Sequence, residues 1–388
     1  MKNLRIIMCI VIGGVVCSGQ LTAQSVQVDV SACRTMLTVL KTMKSHASRD
    51  SVSVMLDSVL DSKAYRVMFS HYNRSWRSNH LPREVFKRMI LSVEFPGEYT
   101  LGENQRADQM LPFWSQSYRN LSIFEGAVGQ VETIDLKALI NDGVKYAQSW
   151  LPPGWAIPDF YFLILPNGGS PAFTIDHAQG YDFFQLPRDS SNMIGWNMLI
   201  GTISHESFHL GMGGSVLDSM TLSPSDSLAL RFISLFVGEG TATKFIDNAP
   251  GGCVPAVDPS RPDPFESVRA ADWETYSTEE AQIIKQMVTT FDKIYRGELN
   301  TEDVDREFRY WLGGKVGPAY FVGSELFGAI YAVFGKEQVF AAMRDPRKLF
   351  TLYNSAIEKN AKLLGSCPRI PKSTALNALA ISPIMPHD

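Results

Sequence analysis

Gly201-Thr202-Ile203-Ser204-His205-Glu206-Ser207-Phe208-His209-Leu210-Gly211 is the stretch on which the reading of this chain turns. His205 and His209 are four residues apart, so on a helix they share one face, about 6 Å apart along the axis. Both imidazoles can then reach one metal ion. Glu206 adjoins the first His and lies three residues from the second. Its carboxylate therefore stays near that ion, where it can take a proton from water. Two surface histidines without a metal are the competing explanation, and the neighbours argue against it. Met193, Ile194, Trp196, Met198, Leu199, Ile200 and Ile203 precede the pair, and Phe208, Leu210 and Met212 follow. A helix apolar nearly all round is a core helix, and polar groups buried in it need partners. Gly201 and Thr202, one turn before His205, are expected to leave room for something to approach.

Upstream, Phe160-Tyr161-Phe162-Leu163-Ile164-Leu165 is dense in aromatic and branched residues and stops at Pro166-Asn167-Gly168-Gly169, which reads as a strand and a turn. Ala172–Ile175 and Tyr181–Leu186 read as two more strands, giving a small antiparallel sheet just before the site helix. Pro187 to Asn192 supplies capping residues to that helix, and Gly211, Gly213 and Gly214 end it. Downstream, Ser223-Pro224-Ser225-Asp226 starts a helix with a cap, a first-turn proline and a capping-box acid. It runs to about Asp247. Phe232, Leu235, Phe236, Ala242, Thr243 and Ile246 share its apolar stripe with Glu239, and a bound cation would cancel the cost of a carboxylate there.

The remainder is read as helical. Residues 24 to about 150 carry apolar positions at helical spacing, as in Met36, Leu37, Val39 and Leu40. Residues 249–265 form a Pro- and Gly-rich loop. Further helices are expected at 265–296, 303–312, 318–334, 336–344 and 346–362, with an irregular end from Ser366. His46, His71 and His80 are isolated and are given no ligand role.

The chain has 388 residues, 45% of them hydrophobic, enough for a large core. Lys2 and Arg5 precede the apolar run Ile6–Val16, too short to span a bilayer, and Leu21-Thr22-Ala23 offers a signal-peptidase site. An exported protein, periplasmic or extracellular, is therefore expected, with lipoprotein anchoring through Cys17 as the alternative. Loss of Lys2 and Arg5 takes the net charge from −4 to −6, and no basic patch suggests nucleic acid. Of the cysteines left, Cys253 lies in the loop and Cys367 follows the last expected helix, whereas Cys33 lies in a helical pattern. A Cys253–Cys367 bridge with a buried free Cys33 is the expected pairing.

Two motifs together carry a resemblance. His205-Glu206-x-x-His209 followed by Gly238-Glu239-Gly240-Thr241-Ala242 is similar to the gluzincin metallopeptidases, whose third zinc ligand is a Glu on a following helix within Asn-Glu-Gly-x-Ala. Gly238 stands where the Asn would be, and the gap from His209 to Glu239 is longer than in the aminopeptidases. Bacterial secreted proteins known as predicted zinc-dependent proteases are a nearer likeness; they share a late Tyr-x-x-Gly helix, which Tyr320-Phe321-Val322-Gly323 resembles. The likeness covers roughly 155–365. It implies a zincin-like domain with a small antiparallel sheet packed on the site helix; with the helical N-terminal region read from periodicity, which carries no resemblance, the expected fold is mostly helical α+β. The corresponding divisions are 1–23 signal, 24–154 helical region, 155–365 zincin-like domain and 366–388 tail.

The implied chemistry is hydrolysis of a peptide or protein substrate with one zinc ion on His205, His209 and Glu239. Glu206 would be the general base and Tyr320 an oxyanion donor, with His177 and Tyr181 as the next candidates for that donor. A metzincin reading needs a third His at the position occupied by Ser215. Asp218 is the alternative third ligand. A zincin-like frame without activity, serving as a binding or scaffold protein of the bacterial envelope, is the second function considered. Glu206 separates the two, since zinc needed only for folding has no use for a carboxylate there.

Overall fold

The computed structural model describes residues 25–74, 80–188, 193–212, 221–313 and 316–382. The signal segment, Gly213, Gly214, Ser215 and Asp218 lie outside these residues. Among the described residues the first element is a strand, β1 (Val26–Asp29), followed by α1 (Ser31–Lys44), α2 (Arg49–Leu60), α3 (Lys63–Arg74), α4 (Arg83–Leu91), α5 (Gln105–Arg119), α6 (Leu121–Thr133) and α7 (Leu136–Gln148). Next come β2 (Phe160–Leu165), β3 (Ala172–Ile175) and β4 (Ala178–Asp182), then the site helix α8 (Trp196–Gly211). The second half is helical: α9 (Pro224–Thr241), a π-helical turn at Ala242–Ile246, α10 (Glu266–Thr278), α11 (Glu280–Tyr295), α12 (Thr301–Leu312), α13 (Pro318–Phe334), α14 (Lys336–Arg344), α15 (Leu349–Lys359), α16 (Ala361–Leu364) and α17 (Lys372–Ala380).

The mostly helical α+β class agrees with the sequence reading, but the sheet differs from the antiparallel one expected. Its order is β1-β2-β4-β3, with β1 and β4 both parallel to β2 and only β3 antiparallel to β4. The reason is visible in β2. Five of its six residues are buried, as in a strand covered on both faces, and such near-continuous apolar runs belong to parallel pairing. The third strand ends at Asp182, where its carboxylate accepts the Phe184 N–H and starts a short 3₁₀ turn. β1 was not foreseen, because Val26–Asp29 falls inside the stretch from residue 24 that reads as helical. Its Val26–Asp29 pair with Phe160–Leu163 and tie the N-terminal helices to the sheet.

Two smaller differences concern helices. The expected 265–296 helix is broken at Glu279, and the expected irregular tail contains α17, whose Thr374, Ala375 and Ala378 are buried. Small residues bury little area, so they leave a weak periodic signal. The site helix α8 is packed on α7 through Gly143, where a Cβ would stand 2.6 Å from Ile203 Cγ2. α9 begins as the sequence predicts, with the Ser223 hydroxyl accepting the Asp226 N–H at 3.1 Å. No helix among the described residues is long and apolar enough to cross a membrane.

Candidate metal centre

Helical spacing places His205, Glu206 and His209 together on α8, and the fold brings Glu239 of α9 to them. Glu239 Oε2 lies 3.5 Å from His205 Nε2 and 3.3 Å from His209 Nε2. The three ligand atoms all fall within 4.8 Å of one another. A tetrahedral ion with spokes of about 2.1 Å has ligand–ligand edges of about 3.4 Å, so the set fits zinc. The fit has a second support. Glu239 Oε2 is buried without a hydrogen bond, an orphaned acceptor that a cation would satisfy. Burial alone would raise the Glu239 pKa, but the imidazoles of His209 and His205 outweigh it and hold the carboxyl well below its usual range.

The two glycines flanking Glu239 have different neighbours. Gly238 faces His209, where a Cβ would be 4.0 Å from the ring. Gly240 meets α13 rather than α8. A Cβ on Gly240 would lie 2.3 Å from Gly323 Cα, so the two backbones touch. That contact explains the spacing in Tyr320-x-x-Gly323, because it carries Tyr320, one turn earlier on α13, up to Glu239. Burial, and then the negative charges of Glu239 and Glu206 nearby, push the Tyr320 pKa well above the usual value. The other oxyanion candidates fall elsewhere. Tyr181 is buried and donates to Gln179 Oε1 at 2.7 Å, and His177 is exposed at the β3–β4 turn.

One member of the site was missed in the sequence. Asp247, 2% exposed, places both carboxylate oxygens 3.1 Å from His205 Nδ1. An acceptor on Nδ1 fixes the tautomer that leaves Nε2 free for a metal. Burial disfavours a charged His205, yet Asp247 and then Glu239 raise its pKa well above the ordinary value. Asp247 is itself held by Arg269 at 3.0 Å, and Arg269 also bonds Asp263. The signal that could have found Asp247 is its position eight residues after Glu239. It was hidden because the π-helical turn at 242–246 changes the helical phase. The loop has a second effect: Pro264 and Phe265 cover Gly201, so the room expected there is filled by the chain itself.

Glu206 points towards the sheet, where Thr174 Oγ1 of β3 donates to its Oε2 at 2.6 Å. The centre thus contains three candidate ligands, a carboxylate beside them, a phenol nearby and a buried acid behind one imidazole. No curated protein and no solved structure is detectably similar to the chain. Residues 56–362, well over half of the sequence, match the family described as "Putative zinc dependent peptidase (DUF5700)", and the chain belongs to that family.

Proposed function

We propose that this protein is an exported zinc-dependent peptidase in which His205, His209 and Glu239 hold the ion. The observation that carries the reading is Glu239 Oε2, a buried carboxylate oxygen placed between two imidazole nitrogens and bonded to neither. Three protein donors leave one position of a tetrahedral zinc open, the pattern of catalytic rather than structural sites. Zinc bound there would supply Lewis acidity, polarising a scissile carbonyl and making a water acidic near neutral pH.

The chain's own groups supply the rest. Glu206 takes the proton of the attacking water and returns it to the leaving amine. Tyr320 keeps its proton at neutral pH and donates a hydrogen bond to the developing oxyanion. Asp247 orients His205 through Nδ1. Export is supported by the charged and apolar N-terminal sequence and by the Cys253–Cys367 disulfide, which suits an oxidising compartment.

Glu206→Gln tests the reading, because it keeps the shape and removes the proton acceptor. The variant should bind a full equivalent of zinc, fold normally and hydrolyse almost nothing in a mixed peptide library. Retained hydrolysis would exclude this mechanism even with zinc present.

A further inference from the structure

We propose that Thr174 is a positioning residue for Glu206, a role that rests on the peptidase reading above. Strand alternation decides which residues of β3 meet α8. Phe173 faces α3, where its ring stacks on His71 with centroids 4.4 Å apart, and Ile175 lines a hollow with Lys63, Arg66 and Val67 of the same helix. Thr174, between them, turns to the opposite face. Its Oγ1 lies 2.6 Å from Glu206 Oε2 and 3.3 Å from the Glu206 carbonyl. A hydroxyl has one proton to give, and the charged acceptor at the shorter distance takes it.

The strand carrying this hydroxyl is itself fixed against α8. Thr174 pairs with Gln179 of β4. Gln179, fully buried, donates to Ser207 Oγ at 2.9 Å and accepts from Tyr181 at 2.7 Å. Successive residues of α8, Glu206 and Ser207, are thus held by paired residues of the sheet. Glu206 is anchored through Oε2, and its Oε1 takes no part in the bond to Thr174. A carboxylate so anchored cannot swing between rotamers, and the oxygen left over is the one that would exchange a proton with water. The device raises the fraction of time the base is aimed correctly, so it acts on turnover rather than on substrate binding.

The test compares Thr174→Val, Thr174→Ser and Glu206→Gln in one peptide assay, with zinc content measured for each. Valine keeps the β-branched shape suited to a strand and removes only the hydroxyl. Losing a hydrogen bond to a charged group corresponds to a fall in kcat of about 10- to 100-fold. KM and zinc content should stay near wild type, and Thr174→Ser should recover most of the rate. A readout apart from activity is the Glu206 side chain in a crystal structure of zinc-loaded Thr174→Val, where it should leave its place against β3. Wild-type kcat in Thr174→Val beside an inert Glu206→Gln would overturn the role of Thr174 and leave the peptidase reading standing. Equal impairment of the Val and Ser variants, or an unmoved Glu206, would also overturn it. An active Glu206→Gln would remove the peptidase reading and this one together. Should Thr174→Val fail to fold, Thr174→Ala takes its place with the same expected outcomes.

Discussion

At the scale of single residues, Glu239 meets both imidazoles through an oxygen with no hydrogen bond. Asp218, the alternative third ligand, lies outside the described residues. Glu239→Ala should therefore lose most bound zinc in a titration, whereas Asp218→Ala should lose little; the reverse order would point to a different ligand set. Tyr320 lies near enough to Glu239 for its charge to raise the phenol's pKa. Tyr320→Phe removes only the hydroxyl and should lower turnover by roughly 10²- to 10³-fold with zinc retained, the usual loss for one oxyanion donor. Wild-type turnover in that variant would return Tyr320 to a packing role. Glu239 and Tyr320 could be singled out in the sequence because each sits in a short motif. Thr174 and Asp247 could not, since a threonine in a strand and an aspartate at a helix end are ordinary in sequence and become informative only through what they touch.

Elements carry the next level of the argument, and the α9–α13 crossing is the most exposed to test. Gly240 and Gly323 are in backbone contact, so an added methyl has no flexible neighbour to displace. Gly240→Ala should cost about 1–3 kcal/mol or more in urea unfolding, and the displaced helix should lower zinc affinity as well. Gly126 on α6 is the contrasting case, with nothing within 4 Å of an added Cβ. There alanine should stabilise by about 0.5–1 kcal/mol through helix propensity.

The loop after the π-helical turn contains a second buried charge arrangement. Lys244 donates to the carbonyls of Ala249, Val254 and Pro255, while the Cys253 N–H donates to Glu325 at 3.0 Å. Glu280 packs its carboxylate against Gly252 in the same region. Burial, and then the negative Glu325, push its pKa up to about 7. The folded state therefore binds this proton more tightly than the unfolded state does. Stability must fall as pH rises from the ordinary carboxylate value towards 7, with the penalty complete above it. Glu280→Gln should thus stabilise the protein at pH 8, by roughly 1–2 kcal/mol, and change little at pH 4. Equal effects at the two pH values would show that Glu280 is not the group responsible.

For the whole molecule, the Cys253–Cys367 bridge joins the loop beside the metal centre to the segment after α16, across 114 residues of chain. Cys33 remains free and buried, as the sequence pairing predicts. Closing so long a loop restricts the unfolded chain and contributes on the order of 3–5 kcal/mol. Reduction with a dithiol should lower the urea midpoint accordingly, and an unchanged midpoint would mean that the bridge does not constrain the unfolded state. At the other end of the chain, β1 fastens the N-terminal helices to the sheet that flanks α8. The site is therefore assembled from a sheet made partly by the first strand and from helices of the second half.

The sequence by itself determined what depends on local spacing. Four-residue helical spacing put His205 and His209 on one face, a cap and a proline began α9, and apolar periodicity gave most of the helices. Those features follow from backbone geometry over a few residues, which any chain with this pattern must obey. What only the tertiary structure decided is everything that crosses between elements. The parallel pairing of β1, β2 and β4, the approach of Gly240 to Gly323, Asp247 behind His205 and Thr174 against Glu206 each join residues far apart in the chain. Such contacts are selected by packing and by the need to satisfy buried polar groups, and neither has a period that can be read along a strand of letters.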